Sequence, residues 1–169
     1  MTVAARRSID DVLAAARARL DRLTALEAYE SVRHGAVLVD IRPESDRRTE
    51  GEILGAVVIE RNILEWRLDP SSDSRLRIAA YDLHVVVFCN EGYTSSLAAA
   101  ALLDLGIYRA TDIIGGFRAW RCAGLPITTG SAHRPDLRAA NTGYDGARSD
   151  NAVRQSPTIP RVWPTATTR

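Results

Sequence analysis

The stretch Val85-Val86-Val87-Phe88-Cys89-Asn90-Glu91-Gly92-Tyr93-Thr94-Ser95-Ser96-Leu97-Ala98-Ala99-Ala100-Ala101-Leu102-Leu103-Asp104-Leu105-Gly106 decides the fold. Its first four residues are apolar without alternation, as in a parallel strand covered on both faces. Its second half is rich in alanine and leucine and stops on glycine, the pattern of a strong helix. A short loop joins the two. Three further apolar runs, Ala36 to Ile41, Ala56 to Ile59 and Asp112 to Ile114, have the same strand character. Strands separated by helices predict an α/β domain: an open parallel β-sheet flanked by helices, with right-handed crossovers.

Upstream, two helices are expected before residue 35. Ser8 with Asp11 and Thr24 with Glu27 have the spacing of capping boxes. Ile9, Val12, Leu13, Ala16, Leu20 and Leu23 fall at helical spacing after the first box. Arg17, Arg19 and Arg22 fall mostly on the other face. The first helix packs on the domain or forms a dimer contact; the spacing leaves both open. Downstream of residue 130 the composition changes to proline, glycine, asparagine, serine and threonine, with few aliphatic residues. Such a segment buries too little apolar surface to order itself. The expected organisation is an N-terminal helical extension (1–23), the α/β domain (24–130) and a disordered tail (131–169) in which Trp163 is the one candidate anchor.

The 169 residues suit one domain of ordinary size, and the net charge of +1 argues against a nucleic-acid partner. All 22 basic residues are arginine, and 25 residues are alanine, a bias that GC-rich codons produce. Cys89 and Cys122 are too few for a disulfide framework. No apolar run is long enough to span a membrane, and the N-terminus has no secretory h-region. The reducing cytoplasm is the expected compartment. His34, His84 and His133 are scattered, so no metal is expected.

Sites in open α/β sheets lie at the carboxyl ends of strands. There the chain places Cys89, followed by a glycine-containing loop that feeds a helix N-terminus. Unpaired amides at such a terminus stabilise negative charge, and so a thiolate. The residues alone leave two readings open for Cys89: a nucleophile facing an anion-sized pocket, or a small buried hydrophobe.

Several segments, in order, resemble the single-domain rhodaneses, the sulfurtransferase family. They are Leu38-Val39-Asp40-Ile41-Arg42, Gly51-Glu52-Ile53-Leu54-Gly55-Ala56, Val85 to Cys89 with Gly92 and Ser95, the helix Leu97 to Leu105, and Ile114-Gly115-Gly116-Phe117-Arg118-Ala119-Trp120 followed by Gly124-Leu125-Pro126. The resemblance covers roughly residues 24 to 130. It implies a rhodanese-like sheet, with Cys89 taking a sulfane sulfur as a persulfide and passing it to a thiophilic acceptor such as cyanide or a thiol. It implies no metal or organic cofactor. It implies small sulfur donors, or a protein donor or acceptor, as partners. Asn90, Glu91, Gly92, Tyr93, Thr94 and Ser95 become the expected substrate-binding loop. Asp40 becomes a support of that loop, and Trp120 a core residue.

The sequence departs from the family at Thr94, where the loop of many thiosulfate-using members has arginine, and at Glu91, an acid beside an expected anion site. Arg42 and Arg61, each after a strand, are the candidate replacements. Each also has a structural reading, Arg42 as an ion pair with Asp46 and Arg61 as one with Glu65. Thr94 or Ser95 is expected to cap the helix, Trp66 to cover the loop, and Cys122 to be a spare helix cysteine or a resolving thiol. Tyr93 walls the pocket or faces solvent.

Three function classes compete. The first is a sulfurtransferase using thiosulfate or, preferentially, a persulfide. The second is a non-catalytic rhodanese-like module that binds a partner or senses redox state. The third, a cysteine phosphatase or arsenate reductase, would need arginine at position 95 for its phosphate clamp, and Ser95 is there. Hydrolysis of a phenyl phosphate ester is therefore expected to be absent; a rate that disappears in Cys89→Ser would contradict this reading.

Overall fold

A computed structural model describes residues 6–128. The segment from 131 onward, with Trp163 and His133, lies outside the described residues.

Four strands form one parallel sheet: β1 (Val37–Asp40), β2 (Val57–Val58), β3 (Val85–Phe88) and β4 (Thr111–Asp112), in the order β2-β1-β3-β4. The central pair runs in register, from Val37 opposite Val85 to Asp40 opposite Phe88. All of β3 is buried, because consecutive side chains enter opposite layers. Val85 and Val87 pack with Leu64, Leu68, Ala98 and Leu102. Val86 and Phe88 pack with Ala28, Ile113, Phe117 and Trp120. Apart from Ile113, which follows β4, those partners lie on the helices α2 (Ala25–Arg33), α4 (Leu64–Leu68), α5 (Thr94–Asp104) and α6 (Gly116–Cys122). A further helix, α3 (Glu44–Glu50), follows β1, and a short 3-10 turn, Arg61–Ile63, follows β2. Neither was legible as an element, since Glu-Ser-Asp-Arg-Arg-Thr-Glu has no apolar period. The fully buried Trp120 donates through Nε1 to Pro126 O at 3.1 Å and meets Tyr29 edge-on.

Helix α1 spans Ile9–Arg17. Both expected capping boxes form, at Ser8–Asp11 and Thr24–Glu27. The cap hydrogen bonds hold the Asp11 and Glu27 carboxyls below their usual values. Helix α1 ends sooner than its apolar spacing suggests. Leu20 and Leu23 lie beyond it, and Leu23 runs beside the sheet: its N–H donates to Asp112 O at 3.0 Å, and Ile114 N–H donates to Leu23 O at 2.8 Å. Backbone pairing at the sheet edge there replaces helical pairing.

Of the two readings for α1, packing on its own domain is observed: it contacts α5 and buries Leu13 and Ala16, while Val12 is 37% exposed. Leu13→Ala is therefore expected to cost about 2–3 kcal/mol in urea unfolding, near the low end for buried leucine. Val12→Ala should stay within about 0.5 kcal/mol. Equal losses would contradict this packing.

Candidate active site

Cys89 is the first residue beyond β3, and α5 begins five residues later. Gly92 has φ +78° and Tyr93 is right-handed, with φ −95° and ψ −66°. A left-handed residue followed by a right-handed one turns successive N–H groups toward one concave face. The Gly92 N–H donates to Cys89 Sγ at 3.2 Å. The N–H groups of Tyr93, Thr94 and Ser95 donate to nothing among the described residues, as expected for the first turn of a helix.

Beneath the thiol, the Cys89 S–H donates to Ser95 Oγ at 3.4 Å, and the Ser95 hydroxyl donates to Asp112 Oδ2 at 3.0 Å. Ser95 is thus buried behind the cysteine. Neither Thr94 nor Ser95 makes the expected side-chain cap; Tyr93 occupies the cap position, and the Ser95 hydroxyl is taken by Asp112.

A cleft of about 360 Å³ opens over Cys89. Asn90, Glu91, Tyr93, Thr94, Arg42 and Arg61 line it with the cysteine, as does Asp46, which the sequence reading did not place there. Gly92 lies behind the lining. Trp66 is absent from it and is 61% exposed on α4, so it does not cover the loop. Cys122 is exposed at the end of α6 and outside the cleft.

Each charged side chain of the lining already has a partner. Arg42 is fully buried and pairs with Asp40, not with Asp46: Nη2 donates to Oδ2 at 2.7 Å and Nε to Oδ1 at 3.0 Å. The two residues leave the same strand end, whereas Asp46 is drawn to the loop, accepting from Asn90 Nδ2 at 2.6 Å. The Arg42 guanidinium also donates to Gly51 O at 2.9 Å and stacks 3.8 Å from the Phe117 ring centroid. Burial pushes the Asp40 carboxyl up, and Arg42 opposes that shift. Asp40 supports Arg42 and makes no hydrogen bond to the loop, unlike the support expected of it. Arg61 pairs with Glu65 through two contacts of 2.8 and 2.9 Å. Glu91 is paired with Arg118 of α6. Among the described residues no group of three His, Cys, Asp or Glu side chains could hold a metal.

The loop is gripped from two sides. The α6 N-terminus donates Phe117 N–H to Cys89 O at 2.8 Å and Arg118 N–H to Asn90 O at 3.0 Å. A Cβ on Gly116 would lie 2.3 Å from Cys89 O, so this approach requires glycine. From the other side, Arg17 and Arg22 reach Gly92 O at 2.9 and 3.2 Å. Helical spacing assigned both arginines to the polar face. Long side chains let them cross back to the loop.

The family model described as "Rhodanese-like domain" matches residues 24–123. The chain is 31% identical over 108 residues to "Thiosulfate sulfurtransferase GlpE" of Haemophilus influenzae, covering 63% of this chain and 93% of that protein. Among solved structures, one from Rhodopseudomonas palustris, described as a protein of unknown function and possible tyrosine phosphatase, is 34% identical. It matches with a TM-score of 0.68 over 76% of this chain and 99% of that one. The polysulfide-sulfur transferase homodimer of Wolinella succinogenes matches at 25% identity with a TM-score of 0.58, over 74% of this chain and 90% of that one.

Removing one partner of the buried pair should leave the other charge stranded. Arg42→Met is expected to cost about 3–5 kcal/mol in urea unfolding, and the double variant Arg42→Met with Asp40→Leu to recover much of it. A double variant no more stable than the single would contradict the pairing.

Proposed function

The chain belongs to the rhodanese-like domain family, and from that premise we propose that it is a sulfurtransferase whose Cys89 carries a sulfane sulfur from a donor to a thiophilic acceptor. One observation carries the reading: Cys89 Sγ sits at the cleft beside the Gly92 N–H at 3.2 Å, with three amides of the first turn of α5 unpaired among the described residues. Residues 24–130 are the proposed catalytic unit, 1–23 its helical extension and 131–169 a tail outside it. The proposed setting is the reducing cytoplasm. Among the described residues, no helix is long and apolar enough to cross a membrane.

In the first half-reaction the Cys89 thiolate attacks the outer sulfur of a persulfide, RS–SH. A new S–S bond forms, the old one breaks, and RS⁻ departs with its electron pair. With thiosulfate the same attack releases sulfite. In the second half-reaction a thiolate or cyanide attacks the outer sulfur of the Cys89 persulfide, and the Cys89 thiolate leaves. No net oxidation occurs. The transfer is covalent catalysis in two steps. Loop amides stabilise the charge on the thiolate and on the persulfide.

A small persulfide is the preferred donor. Thiosulfate is a dianion and binds best to a free cation, but Arg42 and Arg61 are held by Asp40 and Glu65, and Thr94 has no charge. One missing charge-assisted contact is worth roughly 1.5–3 kcal/mol, about ten- to a hundredfold in affinity. The same engaged charges favour the alternative of a rhodanese-like module that binds or senses without turnover. The phosphatase description of the Rhodopseudomonas structure is not carried over, because Ser95 occupies the position of the phosphate-clamping arginine and donates to Asp112.

Intact mass of the reduced protein is the test, after incubation with glutathione persulfide and, separately, thiosulfate. A gain of about 32 Da is expected with the persulfide, less with thiosulfate, and none in Cys89→Ser. A folded protein with a titratable Cys89 that gains no mass from either donor would sink the small-donor enzyme and leave the binding module or a protein donor.

A further inference from the structure

Two arginines outside the residues matched by the family model converge on the back of the loop. Arg17, the last residue of α1, donates from Nη2 to Gly92 O at 2.9 Å and from Nε to Ser96 Oγ at 3.3 Å. Its guanidinium lies 5.2 Å from the centroid of the Tyr93 ring. Arg22 donates from Nη2 to the same Gly92 oxygen at 3.2 Å and is forked onto the fully buried Asp112 at 2.7 and 3.1 Å. The Ser96 hydroxyl lies 2.9 Å from that oxygen as well.

A planar trans peptide points its C=O and N–H in opposite directions. Holding Gly92 O toward Arg17 and Arg22 therefore turns the Tyr93 N–H away from them. The Gly92 N–H, one peptide earlier, is already on Cys89 Sγ. Two cationic donors on one carbonyl also polarise the peptide they hold and strengthen its N–H as a donor. The two arginines differ in their other duties. Arg22 neutralises Asp112, so its loss strands a buried carboxylate. Arg17 has no ion-pair partner among the described residues and does not line the cleft.

We infer that Arg17, backed by Arg22, is a positioning residue for sulfur transfer: it fixes the Gly92–Tyr93 peptide so that the loop amides face the Cys89 sulfur. The N-terminal extension is then part of the catalytic machinery and not merely packing. This rests on the sulfurtransferase reading of Cys89, but the thiol arm of its test does not.

The test uses the full chain carrying Cys122→Ser, so that Cys89 is the only thiol, with Arg17→Met and Arg17→Lys compared against it. Two quantities are measured: the rate of Cys89 alkylation by iodoacetamide at pH 7, and kcat and KM for sulfur transfer from glutathione persulfide to cyanide. Arg17→Met is expected to keep its thermal midpoint, because Leu13 and Ala16 still dock α1. Its alkylation rate and kcat should each fall about tenfold, a fraction of the loss on deleting a direct donor, with KM little changed. Arg17→Lys, which keeps the charge but not the fork, should recover part of both. A folded Arg17→Met that alkylates and turns over like the parent overturns the proposal. So does a loss confined to KM. If Arg17→Met does not fold, Arg17→Lys decides: a severalfold loss supports positioning, and parental rates overturn it. If the parent takes up no sulfur from glutathione persulfide, the small-donor sulfurtransferase reading fails on its own, and alkylation still decides the role of Arg17.

Discussion

Asp112 is a carboxylate with no exposure to solvent, and the loop around Cys89 depends on how it is satisfied. A buried charge is tolerated only when it is paired and hydrogen-bonded. Arg22 supplies the pair, and the Ser95 and Ser96 hydroxyls supply the remaining donors. These partners come from the N-terminal extension and from the first turn of α5, so one carboxylate on β4 ties both to the sheet. Ser95 in turn accepts from the Cys89 thiol. The position of Cys89 is thus set from beneath by a buried ion pair and from above by the turn of Gly92. The close approach of Gly116 to Cys89 O closes the third side.

The cleft above this platform is chemically quiet. Arg42, Arg61, Glu91 and Asp46 line it, yet each is spoken for by a neighbour. What remains to meet a ligand is backbone N–H, the Tyr93 ring, the Thr94 hydroxyl and the sulfur, together with Arg42 Nη1 and Asn90 Oδ1, buried lining atoms with no hydrogen bond among the described residues. On the proposed reading, such a surface suits a small persulfide, RS–SH, better than a compact dianion. Backbone amides discriminate little between anions, whereas a free guanidinium would favour the most highly charged one.

Much of this was legible in the sequence where the signal is local. The β3 run, its loop and the alanine-rich α5 read directly, because strand burial and helix propensity act over neighbouring residues. The boxes at Ser8 and Thr24 read for the same reason. The ion pairs were less legible. Arg61 with Glu65 follows from helical spacing, but Arg42 turned to Asp40, two residues back, and not to Asp46. Arg17 and Arg22 were the largest loss. Their contacts with Gly92 and Asp112 span 70 to 90 residues of chain, and no pattern within one helix encodes them. The helical period separates apolar from polar faces, and it has no term for a long cationic side chain that bends back to a distant carbonyl. Trp66 erred in the opposite sense: a large aromatic invited a packing role, and the short α4 leaves it in solvent.

The most direct measurement is a chase. The protein is loaded with glutathione persulfide, freed of donor by desalting and treated with cyanide while thiocyanate is counted. If Cys89 is the sulfur carrier, close to one thiocyanate forms per loaded chain, the mass returns to that of the thiol, and Cys89→Ser releases none. Thiocyanate from the Cys89→Ser protein, or a loaded Cys89 that cyanide cannot discharge, would contradict it.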